Sequence, residues 1–231
     1  MRVRKRVTIF ILLSAIIIAY IVRVTVVNKN AERTPVVTYN VGEVVDFGTD
    51  YIDTADEAIP GYAIQVLGYE LVDTKELYDR YNMGEVEEYA LKNTPFYCLL
   101  KIRFYNNDCD MGEQGGLMLS RYSLVGDNYM SMVSENVFCT MYPDMPGISF
   151  SLRQGTSMEL ELPYPITRNE GRTKSDMEEK APMLEISEFP NRKVLKAGEE
   201  CEYMNSGQIA APEFFYYLFK SITTIYYNIK V

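Results

Sequence analysis

The hydrophobic pattern divides the chain into an apolar N-terminal run, a body of short β-like segments and an aromatic C-terminus. Between residues 7 and 27 the only charged residue is Arg23, and no polar stripe interrupts the run. A helix needs about 20 mostly apolar residues to cross a bilayer, whereas a buried helix of a soluble domain keeps a polar face. The run therefore predicts a transmembrane helix over 7–27.

The residues on either side of this run predict its orientation. Four basic residues lie within residues 1–6, and the positive-inside rule keeps such a cluster in the cytoplasm. Residues 20–23 lack the small side chains of a signal-peptide cleavage site, and no cysteine precedes Cys98 that could carry a lipid. We expect an uncleaved signal anchor with an extracellular body, and a cleaved signal or a soluble core helix as the alternatives.

The body begins after a polar segment, residues 28–38, which is broken by Pro35 and is typical of a linker. Short apolar runs separated by turn residues follow, and this pattern is typical of a sandwich or a barrel. Strands are predicted at 38–47, 61–72, 96–106, 117–125, 131–142, 148–153, 157–166 and 183–189.

Four local patterns refine this prediction. Segment 96–106 is apolar on both faces, which indicates a central strand. A turn at Gln154 and Gly155 is predicted to join a hairpin. Segment 74–92 has the spacing of a short inserted helix, and the charged segment 167–181 is predicted to be a mobile loop.

The C-terminal extension, residues 198–231, is rich in aromatic residues. We expect it to pack on the domain and close one end of its core, with a position at the membrane surface or a second span as alternatives. Glu213 and Lys220 disfavour a span, because each would cost about 2.5–3.5 kcal/mol at the bilayer centre. The residues of a possible interaction surface are Phe214, Phe215, Tyr216, Tyr217 and Phe219.

Composition and charge exclude several classes of function. The net charge is −9, and the first 28 residues hold five basic residues and no acidic one, which leaves 18 basic and 32 acidic residues (−14) beyond them. A body with this much negative charge repels the phosphate backbone of nucleic acids. We therefore expect no nucleic-acid partner. The chain contains no histidine, which excludes a Ser-His-Asp or Cys-His arrangement and removes the commonest transition-metal ligand.

The four cysteines predict neither a zinc site nor a redox motif. None of them is spaced as C-x-x-C, and a nucleophilic cysteine would need a base that the chain lacks. Four cysteines allow three disulfide pairings, and an extracellular location would permit disulfides. The sequence leaves open whether at least one disulfide forms. The candidate cysteines are Cys98, Cys109, Cys139 and Cys201.

Acidic residues after the central strand suggest one candidate metal site. Asn106, Asp108 and Asp110 are spaced at i, i+2 and i+4, as in calcium loops, but an EF-hand would need Gly at Met111 and Glu at Leu117. An acidic loop tip is the simpler interpretation. Asp108 and Asp110 stay as metal candidates, and no cofactor is expected.

Five stretches of the chain carry a recognisable pattern of strands and turns. They are "NVGEVVDFG", "GYAIQVLGYELV", "YCLLKIRFYNND", "SLRQGTSMELELPYPI" and "MLEISEFPNRKVLKA". Together they resemble small membrane-anchored families of unknown function from Gram-positive bacteria. The resemblance implies an extracellular immunoglobulin-like β-sandwich over residues 39–197, with no catalytic residues, and it does not extend over residues 198–231.

The expected function is that of a non-catalytic module at the cell surface. Motifs of P-loop, Rossmann and G-x-S-x-G enzymes are absent, so we do not expect an enzyme. An anchored domain of this kind would bind an extracellular protein, a peptide or a wall component. A carboxylate-dependent cell-wall or peptide hydrolase and a structural accessory subunit of a membrane complex are the alternatives.

Overall fold

Nine of the eleven strands in the described residues build two main β-sheets that share one core, and the other two form a separate two-stranded sheet. The computed structural model describes residues 13–14, 16–26, 34–109, 116–127, 129–168 and 173–199. The strands are β1 (Val36–Tyr39), β2 (Val44–Asp46), β3 (Tyr62–Asp73), β4 (Phe96–Asn106), β5 (Leu117–Met118), β6 (Ser123–Gly126), β7 (Tyr129–Met132), β8 (Ser149–Phe150), β9 (Thr156–Ile166), β10 (Met183–Ser187) and β11 (Arg192–Lys196).

The first main sheet has the strand order β2-β3-β4-β9 and is antiparallel throughout. Strand β4 pairs with β9 without interruption from Phe96 to Asn106, and it pairs with β3 on its other side. A bulge between Val66 and Gly68 shifts the β3 register. The prediction that residues 96–106 form a central strand is confirmed.

The second main sheet has the strand order β1-β11-β10-β6-β7, with β1 parallel to β11 and the other pairs antiparallel. Its inward side chains, among them Leu124, Leu184 and Leu195, belong to the same core cluster as Leu100 and Leu162 of the first sheet. Because side chains alternate along each strand, the two sheets bury one face each in this cluster. The expectation of a mainly β fold with packed sheets is confirmed.

Few helices accompany the sheets. They are α1 (residues 16–26), α2 (Thr74–Arg80), α3 (Glu88–Asn93), α4 (Glu135–Met141) and α5 (Lys174–Glu179). Within the described part of the chain, no helix combines the length and the apolar character that a membrane crossing requires. The predicted span 7–27 lies partly outside the described residues.

The prediction of a strand over 131–142 is wrong, because β7 ends at Met132 and α4 follows. Val137, Phe138 and Met141 are buried at helical spacing. The apolar residues of this segment satisfy a period of 3.6 better than a period of 2.

The prediction of a mobile loop over 167–181 is also wrong, because residues 174–179 form α5. The Thr173 hydroxyl accepts a hydrogen bond from the Asp176 amide, and the Asp176 carboxylate accepts one from the Thr173 amide. This capping box satisfies two N–H groups at the helix start. Met177 buries its side chain in the main core, so one apolar residue holds a charged helix in place.

Two further strand predictions need correction, and one strand was not predicted. Segment 38–47 is divided between β1 and β2 by a turn, in which Gly42 has φ +84° and donates its amide hydrogen to Val66 O (2.8 Å). Such a backbone conformation suits glycine and interrupts a strand. Segment 117–125 is interrupted by a 3₁₀ turn over Leu119–Arg121. Strand β11 was not predicted at all.

The predicted hairpin at Gln154 and Gly155 has its turn but not its pairing. Gly155 has φ +73°, and Thr156 donates its amide hydrogen to Arg153 O at 3.1 Å. Strand β9 nevertheless pairs with β4, and the short β8 before the turn pairs with β5. A turn signal identifies a reversal of the chain, whereas the pairing partner depends on the tertiary structure.

Some predictions concern residues outside the described part of the chain. These are the cytoplasmic stub 1–6, most of the linker 28–38, the possible ligand Asp110, the cysteine Cys201, and the aromatic residues Phe214, Phe215, Tyr216, Tyr217 and Phe219.

A buried ion pair joins the loop after β2 to β11. Lys193 Nζ lies 2.7 Å from Asp50 Oδ2 and also donates hydrogen bonds to the carbonyl oxygens of Asp46 and Phe47. Asp50 Oδ1 accepts hydrogen bonds from the backbone and side-chain N–H groups of Asn191. Burial raises the pKa of Asp50, but the hydrogen bonds from Lys193 and Asn191 outweigh it and hold the pKa below its ordinary value.

We predict that Asp50→Ala destabilises the protein by about 3–5 kcal/mol, because it leaves the buried Lys193 ammonium without its partner. The double variant Asp50→Ala/Lys193→Met should lose much less, since no unpaired charge remains. Urea titration of the purified full chain, followed by tyrosine fluorescence, measures both. Equal losses in the single and double variants would contradict a stabilising pair.

The same pair predicts a dependence on pH. Because the pKa of Asp50 is lower in the folded state, its contribution is complete above the unfolded pKa of about 3.9 and is lost as the pH falls through the folded value. The stability difference between the natural chain and Asp50→Asn should therefore shrink on acidification below about pH 4. A difference that is constant from neutral to acidic pH would rule out this titration.

Candidate functional site

An insertion between β3 and β4 forms a small lobe on one end of the first sheet. It begins at Thr74 and ends at Pro95, directly between the register partners Asp73 and Phe96. The Thr74 amide donates to Pro95 O at 3.1 Å, and the Thr74 hydroxyl donates to Thr94 O. These bonds close the base of the lobe, so its two ends leave the sheet side by side.

The lobe contains two helices where the sequence predicted one. Helix α2 ends at Arg80, and Asn82 follows with φ +51° in the left-handed region. The Met83 amide donates to Tyr78 O at 3.0 Å, which satisfies a carbonyl group at the helix end. The chain then continues through Gly84 to α3.

Apolar packing fixes α2 on the outer face of the sheet. Leu77 is fully buried in a second cluster, separate from the main core, which includes Val72, Tyr97 and Leu99 of the sheet. Met141 of α4 also belongs to this cluster. Outward-facing residues of β4 are therefore buried at this end of the strand, which explains why the strand is apolar on both faces.

Polar contacts between the end of α2 and the first sheet fix the orientation of this helix. The Arg80 guanidinium forms two hydrogen bonds of 2.8 Å with the Glu70 carboxylate of β3, and these bonds hold the pKa of Glu70 below its ordinary value. The Tyr81 hydroxyl donates to Glu161 of β9 at 2.8 Å. Burial, together with this carboxylate, raises the pKa of Tyr81. The end of α2 is therefore attached to two strands of the sheet.

Between the two helices lies an open depression with a volume of about 720 Å³. Its lining combines one ammonium group, two carboxylates, a phenol, an amide and two aliphatic side chains, so it offers both hydrogen-bonding groups and apolar contacts. The lining residues are Lys75, Tyr78, Asp79, Asn82, Gly84, Glu85, Val86 and Leu91. We refer to this feature as the insertion depression.

The chemistry of the insertion depression suits recognition. A volume of several hundred Å³ is typical of ligand sites, and most of the side chains that line this depression are polar or charged. Its lining includes the carboxylates of Asp79 and Glu85 and the ammonium of Lys75. Within the described residues, no group of three or more Cys, Asp or Glu side chains is placed to hold a metal ion.

The structure gives Asn106 a structural role. Its side-chain amide donates to the carbonyl oxygens of Cys109 (2.9 Å) and Leu152 (2.7 Å), and its Oδ1 accepts from the Cys109 amide. Because the side chain is buried and fully hydrogen-bonded, it closes a turn instead of presenting an oxygen to calcium. Asp108 accepts a hydrogen bond from the side chain of Gln154 at 2.8 Å, and Asp110 is outside the described residues.

The structure places the candidate cysteines Cys98, Cys109 and Cys139 in different segments of the domain. Cys98 is completely buried in the main core, and burial raises the pKa of its thiol well above the ordinary value. Cys139 of α4 is partly buried, and neither it nor Cys98 is in a disulfide. Cys109 lies in the turn that Asn106 closes. Because Cys201 is outside the described residues, a disulfide stays a prediction.

Sequence comparison identifies the family of this chain. The model of a family described as "Domain of unknown function (DUF5028)" matches residues 36–193, which is more than half of the chain and spans β1 to β11. The chain belongs to the DUF5028 family. No curated protein and no solved structure matches it.

Membership in DUF5028 confirms that the chain has relatives of unknown function, whereas a Gram-positive origin and membrane anchoring stay predictions. The matched region includes the whole lobe and the insertion depression. Sequence reasoning missed this depression, although two signals within segment 74–92 mark the break in the helix. These are Asn82, a residue tolerated in the left-handed region, and Gly84.

We predict that Asn82→Ala destabilises the DUF5028 domain by about 1–2 kcal/mol, because a Cβ-bearing residue without a short polar side chain is strained at positive φ. Asn82→Gly removes the strain and should cost only a few tenths of that amount. Urea midpoints of the two variants provide the measurement. If alanine and glycine behave alike, the left-handed turn does not shape the depression.

Proposed function

We propose that this DUF5028 chain is a non-catalytic binding module, anchored in the cell membrane by its N-terminal helix, with an extracellular immunoglobulin-like domain. In this proposal the insertion depression recognises a protein, a peptide or a wall component. The observation that carries the anchoring is the exposure of apolar side chains along α1.

Helix α1 has apolar side chains around its whole circumference. Those that are more than one third exposed include Ile16, Ile17, Ile18, Tyr20, Val22, Val24 and Val26. Transfer of a large apolar side chain from water is worth about 1.5–3 kcal/mol, so water is an unfavourable environment for this helix. A bilayer provides an apolar one, and the basic residues before position 7 favour a cytoplasmic N-terminus.

The insertion depression supports the binding part of the proposal. It is a concave site whose lining carries charge of both signs, from Lys75, Asp79 and Glu85. Tyr78 adds an aromatic surface that can contact a sugar ring or an apolar side chain. A short peptide or a wall fragment with charged groups of both signs fits this chemistry.

A carboxylate-dependent hydrolase is the second candidate function, because two carboxylates line the same depression. Glycoside hydrolysis uses such a pair on either side of the scissile bond. Asp79→Asn and Glu85→Gln distinguish the candidates. In a binding module they reduce retention of a wall fragment without any change in products, and in a hydrolase they abolish product formation.

We predict that the full chain remains in the membrane fraction after alkaline carbonate extraction, whereas a variant lacking residues 1–27 is released. Protease added to intact cells should digest the body and leave an N-terminal tag intact. Protection of the body would reverse the orientation. Recovery of mature protein without residues 1–27 from natural cells would show a cleaved signal.

We predict that Lys75→Glu together with Tyr78→Ala lowers capture of a partner by crosslinking on intact cells about tenfold, which corresponds to about 1.4 kcal/mol. Lys101→Glu is the control for the charge change. Lys101 is also exposed, but it lies on β4 of the first sheet and does not line the depression. Equal losses in both variants would indicate that net charge, and not the depression, determines binding.

A further inference from the structure

The outer face of the second sheet carries a row of apolar side chains that crosses three strands. Met130 of β7 is the register partner of Val125 of β6, which is the partner of Met183 of β10. The neighbouring residues Leu124 and Leu184 point into the main core, so alternation places this row on the opposite face. We call it the methionine row.

The methionine row is unevenly covered. Val125 and Met183 are 5% and 3% exposed, because they pack with Ala181 and Tyr69 in a small cluster. Met130 is 59% exposed, and Met132, two residues along the same strand, is 54% exposed. Two flexible apolar side chains therefore extend the row over β7 to the sheet edge. Methionine adapts its shape to a partner and makes favourable contacts with aromatic rings.

The methionine row lies next to the end of β11, where the described chain leaves the sheet. Met183 is the register partner of Lys196, the last residue of β11. Residues 200–231 follow this point directly in sequence. Because β11, β10, β6 and β7 are adjacent, the row is about 14 Å wide at about 4.8 Å per strand. At about 3.3 Å per residue, the chain between Lys196 and Phe214 reaches well beyond that distance.

The sequence that follows has the chemistry to cover the row. Phe214 to Phe219 are six consecutive aromatic or aliphatic residues, and Glu213 precedes them. Lys196 lies on the same face as Met183, and among the described residues no carboxylate forms an ion pair with it. A segment with Glu213 near Lys196 and its aromatic residues toward β7 matches the row in both charge and apolar character.

We propose that the segment Phe214–Phe219 docks on the methionine row, so that the C-terminal extension covers the outer face of the second sheet. In this arrangement the extension belongs to the domain and does not enter the bilayer. The aromatic rings contact Met130 and Met132 and continue the small cluster of Val125 and Met183.

A photo-crosslinker at position 215 tests this proposal in the full chain in membranes. Benzophenone-alanine in place of Phe215 should form an intramolecular crosslink to peptides of β6, β7 or β10, identified by mass spectrometry. Met130→Lys together with Met132→Glu should lower its yield at least about fivefold, the effect of losing a modest part of the contact free energy.

The control variant is Val44→Lys. Val44 is 54% exposed on β2 of the other sheet, so it has the same exposure but a different position, and the crosslink yield should not change. Both methionines lie outside the main core, so the charged variants should still unfold cooperatively, with a urea midpoint lowered only by the loss of the docked segment. A crosslink to lipid, to a second copy or to another protein, or an unchanged yield in the methionine variant, would overturn the proposal.

Discussion

Burial of β4 on both faces is the constraint on which the rest of the domain depends. Its inward side chains, such as Leu100 and Ile102, join the core between the two sheets, while Tyr97 and Leu99 on the opposite face need a second cover. Helices α2 and α4 provide that cover. The lobe is therefore a necessary part of the domain, because without it the outward-facing residues at this end of β4 would expose aromatic and aliphatic surface to water.

The arrangement divides the outer face of the first sheet into two parts with different chemistry. Where the helices end, the outward positions become charged, and Arg103 pairs with Glu159 of β9. The outward-facing residues of β4 therefore change along the strand from apolar (Tyr97 and Leu99) to basic (Lys101 and Arg103).

Sequence patterns predicted the parts of this fold in which one period dominates over many residues. Strands β3, β4 and β9 are long and mostly apolar or alternating, and their predicted limits agree with the structure to within one residue. Short elements were harder to predict. In α4 three apolar residues satisfy the helical period within a segment that is also rich in β-formers, and in α5 a single buried Met177 outweighs its many charges.

The candidate site was less predictable than the fold, because its residues do not form a motif. Lys75 and Asp79 lie one helical turn apart and would face solvent in any amphipathic helix. They line a depression only because Asn82 reverses the chain and returns α3 beside α2. Asn106 illustrates the opposite error. Its spacing resembles a calcium loop, but its side-chain NH₂ donates to the carbonyl groups of Cys109 and Leu152, and its Oδ1 accepts a hydrogen bond from the Cys109 amide.

The closed base of the lobe has a consequence for how such domains diversify. Because Thr74 and Pro95 meet at one rung of the β3–β4 ladder, the length and sequence of everything between them can change without altering the register of the sheet. A different lobe would fit the same sheet if it still supplied an apolar cover for Tyr97 and Leu99. The sheet therefore constrains the two ends and the apolar face of the insertion, and leaves its solvent-facing residues free to vary.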